Sequence, residues 1–214
     1  DPVAVTAEGT PVRIVRNAET NLGDLCADAY RALSNADIAF VNGGGIRKQI
    51  EAGDITLDDI YSVHPFGNTM CVIRVTGQQV LDALEWGARA VPSENGGFLQ
   101  VSGLTYEIHT GVASSAEKDE NGMFTRVSGE YRVKNVMVGG QPLELDKTYT
   151  LASHNYMLLG HGDGYTMFDG CEVLGEDMMV DNQVLITYIT TTLGGVVGEQ
   201  YANPYGDGRI VAVE

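Results

Sequence analysis

The sequence predicts an α+β fold, a mixed β-sheet with flanking helices, rather than a doubly wound α/β sheet. Two observations carry this reading: helical and strand-like segments do not alternate regularly, and a hairpin-like pair sits among the helices. The glycine content is also high, 27 in 214 residues, against an average usage of about 7%. Such an excess calls for many tight turns and lets backbone approach backbone closely.

The elements follow in order. From Asn21 to Leu33, the apolar residues Leu22, Leu25, Cys26, Ala29 and Leu33 fall at i, i+3, i+4, i+7 and i+11, one face of a helix. Asp37 to Val41 reads as a short buried strand, and the three glycines of Asn42-Gly43-Gly44-Gly45-Ile46-Arg47 end it in a loop. Thr56-Leu57-Asp58-Asp59 has the form of a capping box that opens a short helix. Met70 to Val75 is a strand, and Thr76-Gly77-Gln78-Gln79 is a second capping box, for a helix with Val80, Leu84, Ala88 and Val91 on one face. Leu99 to His109 alternates as one strand, and Gly111 to Glu120 reads as a polar surface excursion. Tyr131 to Val138 and Thr148 to Ala152 flank Gly139-Gly140-Gln141-Pro142 as the arms of a hairpin. A helix at about Asn182 to Leu193, with Asp181 as N-cap, and a strand at Arg209 to Val213 close a single domain spanning residues 1–214.

Charge narrows the function. With 13 Lys+Arg against 29 Asp+Glu the formal net charge is −16, which repels a phosphate backbone and anionic lipid, so no nucleic-acid partner is expected. No apolar run approaches the roughly 20 residues of a membrane span, so no membrane insertion is expected either. Asp1-Pro2-Val3-Ala4 carries neither the basic nor the apolar region of a signal peptide. Cys26, Cys71 and Cys171 are odd in number and far apart, which favours buried free thiols over a disulfide frame or zinc site.

Three segments carry candidate chemistry, each with a plainer explanation. In Asn42 to Arg47 the glycines can bare backbone N–H groups to an anion that the arginine also reaches; a tight turn with a surface arginine explains the same residues. In His64-Pro65-Phe66-Gly67-Asn68 the ring is either a stacking platform or filler for a small satellite core. His161-Gly162-Asp163-Gly164-Tyr165 offers a histidine and a carboxylate, too few ligands for a metal, and a polar turn with Tyr165 packed inward is the favoured reading of these residues alone. No hydrolase nucleophile turn, Walker loop or dinucleotide fingerprint is present. The kit suits an anionic, ring-bearing ligand and contains no evident catalytic engine.

Taken in order, these pieces resemble the C-terminal domain of the 5′-nucleotidase family, which also includes UDP-sugar hydrolases and 2′,3′-cyclic nucleotide phosphodiesterases of related build. The matching pieces are Arg16-x4-Asn21-Leu22-Gly23-Asp24, Asn42-Gly-Gly-Gly-Ile-Arg47, Pro65-Phe66-Gly67-Asn68, Gly96-Gly97-Phe98-Leu99-Gln100-Val101-Ser102-Gly103 and Gly162-Asp163-Gly164-Tyr165. The resemblance implies a two-domain phosphoesterase, mostly exported or surface-anchored, hence extracellular, cell-surface or periplasmic. Its covalently linked N-terminal metallophosphoesterase domain carries two divalent metal ions and cleaves the ester. The C-terminal domain binds the nucleotide or nucleoside substrate and sets specificity. The Asp-x-His and Gly-Asn-His-Glu motifs of the metal domain are absent here, so this chain reads as the substrate-binding domain, inactive alone, with no catalytic or metal residue of its own. The first reading is a 5′-nucleotidase; the alternatives are a UDP-sugar hydrolase or 2′,3′-cyclic nucleotide phosphodiesterase of the same family, or a stand-alone nucleotide-binding module.

Carried over residue by residue, the resemblance makes Phe66 the first stacking aromatic. The offset of the second falls on Met157 with Tyr156 beside it, and Tyr156 is preferred because a ring face stacks on a base better than a thioether. Asp163 is implied to accept the ribose 2′- and 3′-hydroxyls, Asn42 and Asn68 to bond base edges or ribose, and Gly96 to line the pocket with backbone. Arg16 and Arg47 resemble the phosphate-contacting arginines.

Overall fold

A computed structural model describes the backbone of residues 3–5 and residues 11–214 in full. Asp1 and Pro2 of the N-terminal stretch lie outside the described residues. The chain runs β1 (Val3–Val5), β2 (Pro11–Arg13), α1 (Asn21–Ser34), β3 (Ile38–Asn42), α2 (Leu57–Val63), β4 (Met70–Thr76) and α3 (Gly77–Ala88). It continues with β5 (Leu99–Ser102), β6 (Leu104–His109), β7 (Ala116–Lys118), β8 (Phe124–Val127), β9 (Val133–Val138) and β10 (Gln141–Pro142). The last part holds β11 (Thr148–His154), α4 (Asn155–Leu158), β12 (Glu172–Gly175), α5 (Asp181–Thr187) and β13 (Ile210–Val213).

The fold is α+β with mixed sheets. One sheet has the order β12-β4-β11-β3-β5 and the other β10-β9-β6-β13, with two-stranded ribbons β1-β2 and β7-β8 beside them. Period-two alternation explains the layering. In β3, Ile38 and Phe40 join one core while Ala39 and Val41 join the other; in β4, Cys71, Ile73 and Val75 face opposite to Met70 and Val72. The first core is completed by α3 and the four-stranded sheet, the second by α1, α2 and α5. The five-stranded sheet is therefore the middle layer, covered on both faces.

Register decides where function can sit. β11 and β3 are parallel, with Ala152 opposite Ala39. β4 and β5 run against them, with Met70 opposite His154 and Leu99 opposite Asn42. The exits of β3 and β11 and the entrances of β4 and β5 thus share one sheet end. Residues 43–47, 66–69, 96–98 and 155–164 emerge there together.

Both capping boxes form: Thr56 with Asp59 opens α2, and Thr76 with Gln79 opens α3. Other expectations need correcting. Leu99 to His109 is two strands in two sheets, because Gly103 takes φ +81° and turns the chain between them. The Gly139–Gly140 hairpin joins β9 to the short β10, and β11 crosses to the other sheet. The polar segment Gly111 to Glu120 contains β7, paired with β8. Val91 lies past the end of α3, as the residue before Pro92 disfavours helix. Asp181 is the first residue of α5 and Val180 its N-cap; the helix continues as a π-helical turn over Tyr188–Thr192. Cys26 and Cys71 are buried free thiols, whereas Cys171 is only half-buried.

Candidate functional site

Asp163 is the centre of the shared sheet end. It sits in a tight turn with φ +56° and ψ +14°, between His161 at φ +55° and Gly164 at φ +86°. Left-handed backbone at non-glycine residues costs stability and concentrates at functional positions. Two buried rings brace this turn: Trp86 Nε1 donates to the Asp163 carbonyl at 2.9 Å, and the Tyr165 hydroxyl donates to the Gly97 carbonyl. The carboxylate accepts from Asn42 Nδ2 at 2.6 Å and from the Tyr156 hydroxyl at 3.2 Å. Asn42 in turn presents Oδ1 to His154 Nε2 at 2.9 Å. Burial, then the Asp163 charge, raises the pKa of the Tyr156 phenol, so it remains a donor near neutrality.

Two aromatic faces stand out of this end. Phe66 is 60% exposed and Tyr156 44% exposed, while Met157 is fully buried. The loop bearing Phe66 is tied to the start of α4: Thr69 N–H donates to Asn155 Oδ1 at 3.1 Å, and Asn155 N–H donates to the Thr69 carbonyl at 2.8 Å. A second tie comes from Asp181, whose Oδ2 accepts the Asn68 N–H at 3.2 Å while Asp181 N–H donates to the Asn68 carbonyl at 2.8 Å. Burial pushes the Asp181 carboxyl up to about 6 against the pull of its backbone donors.

The arginines lie alongside. The Arg47 guanidinium sits 5.6 Å from the centroid of the Phe66 ring and donates to the Gly44 carbonyl at 3.2 Å. Arg16 Nε is buried without a hydrogen-bond partner. Burial and then the charges of Arg13 and Arg47 lower the Arg16 pKa, with Glu94 and Asp163 opposing. Arg16, Arg47 and Asp163 therefore share one electrostatic neighbourhood, which joins the arginines to the carboxylate.

The glycine loop works differently from the anion cradle weighed above. Gly43 N–H and Gly44 N–H donate to the carbonyls of Phe98 and Gly96, each at 2.7 Å. A Cβ on Gly43 would lie 2.1 Å from the Val15 carbonyl oxygen, and one on Gly44 2.9 Å from that of Gly96. These two glycines exist for close packing, and their N–H groups are not available to an anion. Gly96 contributes its carbonyl to that packing. Asn42 is buried with both ends of its amide engaged, so it holds Asp163 from beneath. His161 pairs with Asp169 at the rim.

The sequence carries no signal for His154 or Trp86, and in the segment His64 to Asn68 it points to Phe66 and not to His64. His154 and His64 are buried, and burial lowers their pKa values to about 3 and about 4. His64 Nδ1 meets the Gly45 carbonyl at 3.3 Å, which requires it to donate. No spacing in the sequence marks these residues, since their partners lie far along the chain.

Elsewhere, a cavity of about 670 Å³ lies beside Arg31, Gly103 and Arg209, and one of about 710 Å³ beside Ile50, Ile55 and Val197. Among the described residues, Glu19, Asp24 and Asp207 bring carboxylates together. They do not suit a hydrolytic metal pair. Both Glu19 oxygens accept backbone N–H groups from Asp207, Gly208 and Ile210, and Arg209 pairs with Asp24 and Asp207. No helix among the described residues is long and apolar enough to cross a membrane.

The sequence profile of the family described as 5′-nucleotidase, C-terminal domain, matches residues 2–170. The chain belongs to that family. Over 203 residues, 93% of the chain, this 5′-nucleotidase C-terminal domain is 36% identical to the trifunctional nucleotide phosphoesterase protein YfkN of Bacillus subtilis. Over 176 residues, 82% of the chain, it is 34% identical to a 5′-nucleotidase of Vibrio cholerae. The crystal structure of a 5′-nucleotidase precursor from Thermus thermophilus has a TM-score of 0.77 at 32% identity, covering 94% of this chain and 36% of that one. The domain spans 13% of the Bacillus protein and 28% of the Vibrio protein. The matched residues include the whole sheet end described above.

Proposed function

We propose that this chain is the nucleoside-binding and specificity domain of a 5′-nucleotidase-type phosphoric monoester hydrolase. The observation that carries the proposal is the convergence at one sheet end of a braced carboxylate, two exposed rings and two arginines. In this reading a base stacks between Phe66 and Tyr156, each face being worth roughly 1–3 kcal/mol. Asp163 accepts the ribose hydroxyls, and Arg16 and Arg47 bind the phosphate. The exposure of Tyr156 and the burial of Met157 support Tyr156 as the second face.

The fragment alone is inactive in this proposal. Two divalent metals, which would supply an activated water, belong to a covalently linked N-terminal metallophosphoesterase domain. The much greater length of the curated relatives supports a linked partner. Here the domain's own work is to hold and orient the ester. The intact protein acts in nucleotide catabolism outside the cytoplasm, secreted, at the cell surface or in the periplasm. Likeness to a trifunctional nucleotide phosphoesterase favours, as a second reading, more than one class of nucleotide phosphoester as substrate.

Calorimetric titration with AMP, adenosine and UDP-glucose tests the site. Phe66→Ala is expected to weaken nucleoside binding by about 1–3 kcal/mol with little change in melting temperature, because the ring is exposed. Asp163→Ala should weaken binding of ribose-bearing ligands. Unchanged affinity in both variants removes the assignment.

A further inference from the structure

The polar layer beneath Asp163 has an orientation that chemistry alone decides. Asn42 Nδ2 is 2.6 Å from Asp163 Oδ2, and Asn42 Oδ1 is 2.9 Å from His154 Nε2. A carboxylate only accepts, so the amide nitrogen must face Asp163 and the amide oxygen must face His154. Only a protonated Nε2 satisfies that oxygen. His154 is 2% exposed, and its Nδ1 has no hydrogen-bond partner. Its ring lies between Tyr30, 6.4 Å away and edge-on, and Tyr156, 5.9 Å away. Burial and the neighbouring His64 keep the imidazole neutral, so it has a single N–H, and Asn42 claims it on Nε2.

Without that donor, Asn42 Oδ1 is buried with no partner and only Asp163 holds the amide. An amide that rotates to repair this loss carries Nδ2 away from the Asp163 carboxylate or turns Oδ1 toward it, which repels it. We infer that His154 is a positioning residue for ribose recognition: through Asn42 it fixes the direction in which Asp163 presents its carboxylate. This rests on the nucleoside reading above and assigns a role to a buried histidine that would otherwise be core filling. It also separates two parts of affinity, since His154 acts on the diol contact and not on base stacking.

His154→Phe keeps a ring between Tyr30 and Tyr156 but removes the donor, and His154→Gln restores an N–H. Wild type and both variants are titrated with adenosine and 2′,3′-dideoxyadenosine. His154→Phe is expected to weaken adenosine binding about tenfold while dideoxyadenosine changes less than about twofold. His154→Gln is expected to recover most of the adenosine affinity. Equal losses for both ligands in His154→Phe, or no loss, overturn the inference.

Should His154→Phe fail to fold, the imidazole nitrogen shifts of wild type decide. The inference requires a neutral Nε2–H form throughout about pH 5–8, and an Nδ1–H form or a titration in that range overturns it. A wild type that binds neither nucleoside sinks the nucleoside reading and this inference together. A wild type that binds adenosine, with its preference over dideoxyadenosine kept in His154→Phe, sinks this inference alone.

Discussion

Two charged regions of this molecule use the same residue types to opposite ends. At the joint between the sheets, Arg209 binds Asp28 through two nitrogens at 2.7 and 2.9 Å, pairs with Asp207 at 3.0 Å and donates to the Val101 carbonyl. Asp28 also accepts from Ser102 and Tyr201. Burial alone would raise the Asp28 pKa, but these donors hold it below the usual carboxylate range. At the end of the parallel pair, Arg16 keeps a buried Nε without a partner, Arg47 makes one bond to a carbonyl, and Phe66 and Tyr156 stand exposed. A charge ringed by partners holds structure together. A charge held rigidly but under-partnered is what a ligand can complete.

The largest expected effect lies at the joint. Arg209→Met leaves buried carboxylates uncompensated and should lower stability by about 3–5 kcal/mol, read by urea denaturation, with nucleoside affinity in the surviving folded protein within about twofold. A loss below about 1 kcal/mol would erase the contrast between the regions. Next, Arg47→Ala should weaken AMP binding by about 1.5–3 kcal/mol and leave adenosine unchanged, with no cost in stability. Equal losses for both ligands would mean that Arg47 serves the ring or the loop rather than a phosphate.

The most gradual effect, spread over several pH units, sharpens the comparison through pH. An unfolded histidine takes up a proton below about pH 6.5, whereas folded His64 and His154 resist until about 4 and about 3. The unfolded state then binds more protons, so these residues make stability fall as pH drops through that window, by about 1.4 kcal/mol per unit for each. Asp24 at the joint acts in the opposite sense. Burial, opposed by Arg209 and reinforced by Glu19 and Asp207, raises its carboxyl well above the usual carboxylate range, so the folded state holds the extra proton and stability falls as pH rises above about 4. His154→Gln should flatten the acid limb and Asp24→Asn the upper one, as measured by urea midpoints across pH. Identical slopes in the two variants would break the account.

What the sequence disclosed was mostly local. The apolar spacing of α1 and the capping boxes at Thr56 and Thr76 depend on neighbours within a few residues, and they formed as read. The break at Gly103 escaped because one positive φ inside an alternating run moves a strand to another sheet. The destination of β11 escaped because its partners, β3 and β4, lie over seventy residues away. The same division runs through the site. Phe66, Asp163, Arg16 and Arg47 belong to short motifs that stand out in the sequence. The bracing by His154, Asn155 and Trp86 arises only when register brings strand ends together. Gly43 and Gly44 were legible as special, but only packing shows that their N–H groups face Phe98 and Gly96.

The most direct test is a crystal of the domain soaked with AMP. The account predicts a base between Phe66 and Tyr156, a ribose on Asp163 and a phosphate turned toward Arg16 and Arg47. A nucleotide lodged in the cavity beside Arg31 and Arg209, with Phe66 and Tyr156 untouched, would contradict it.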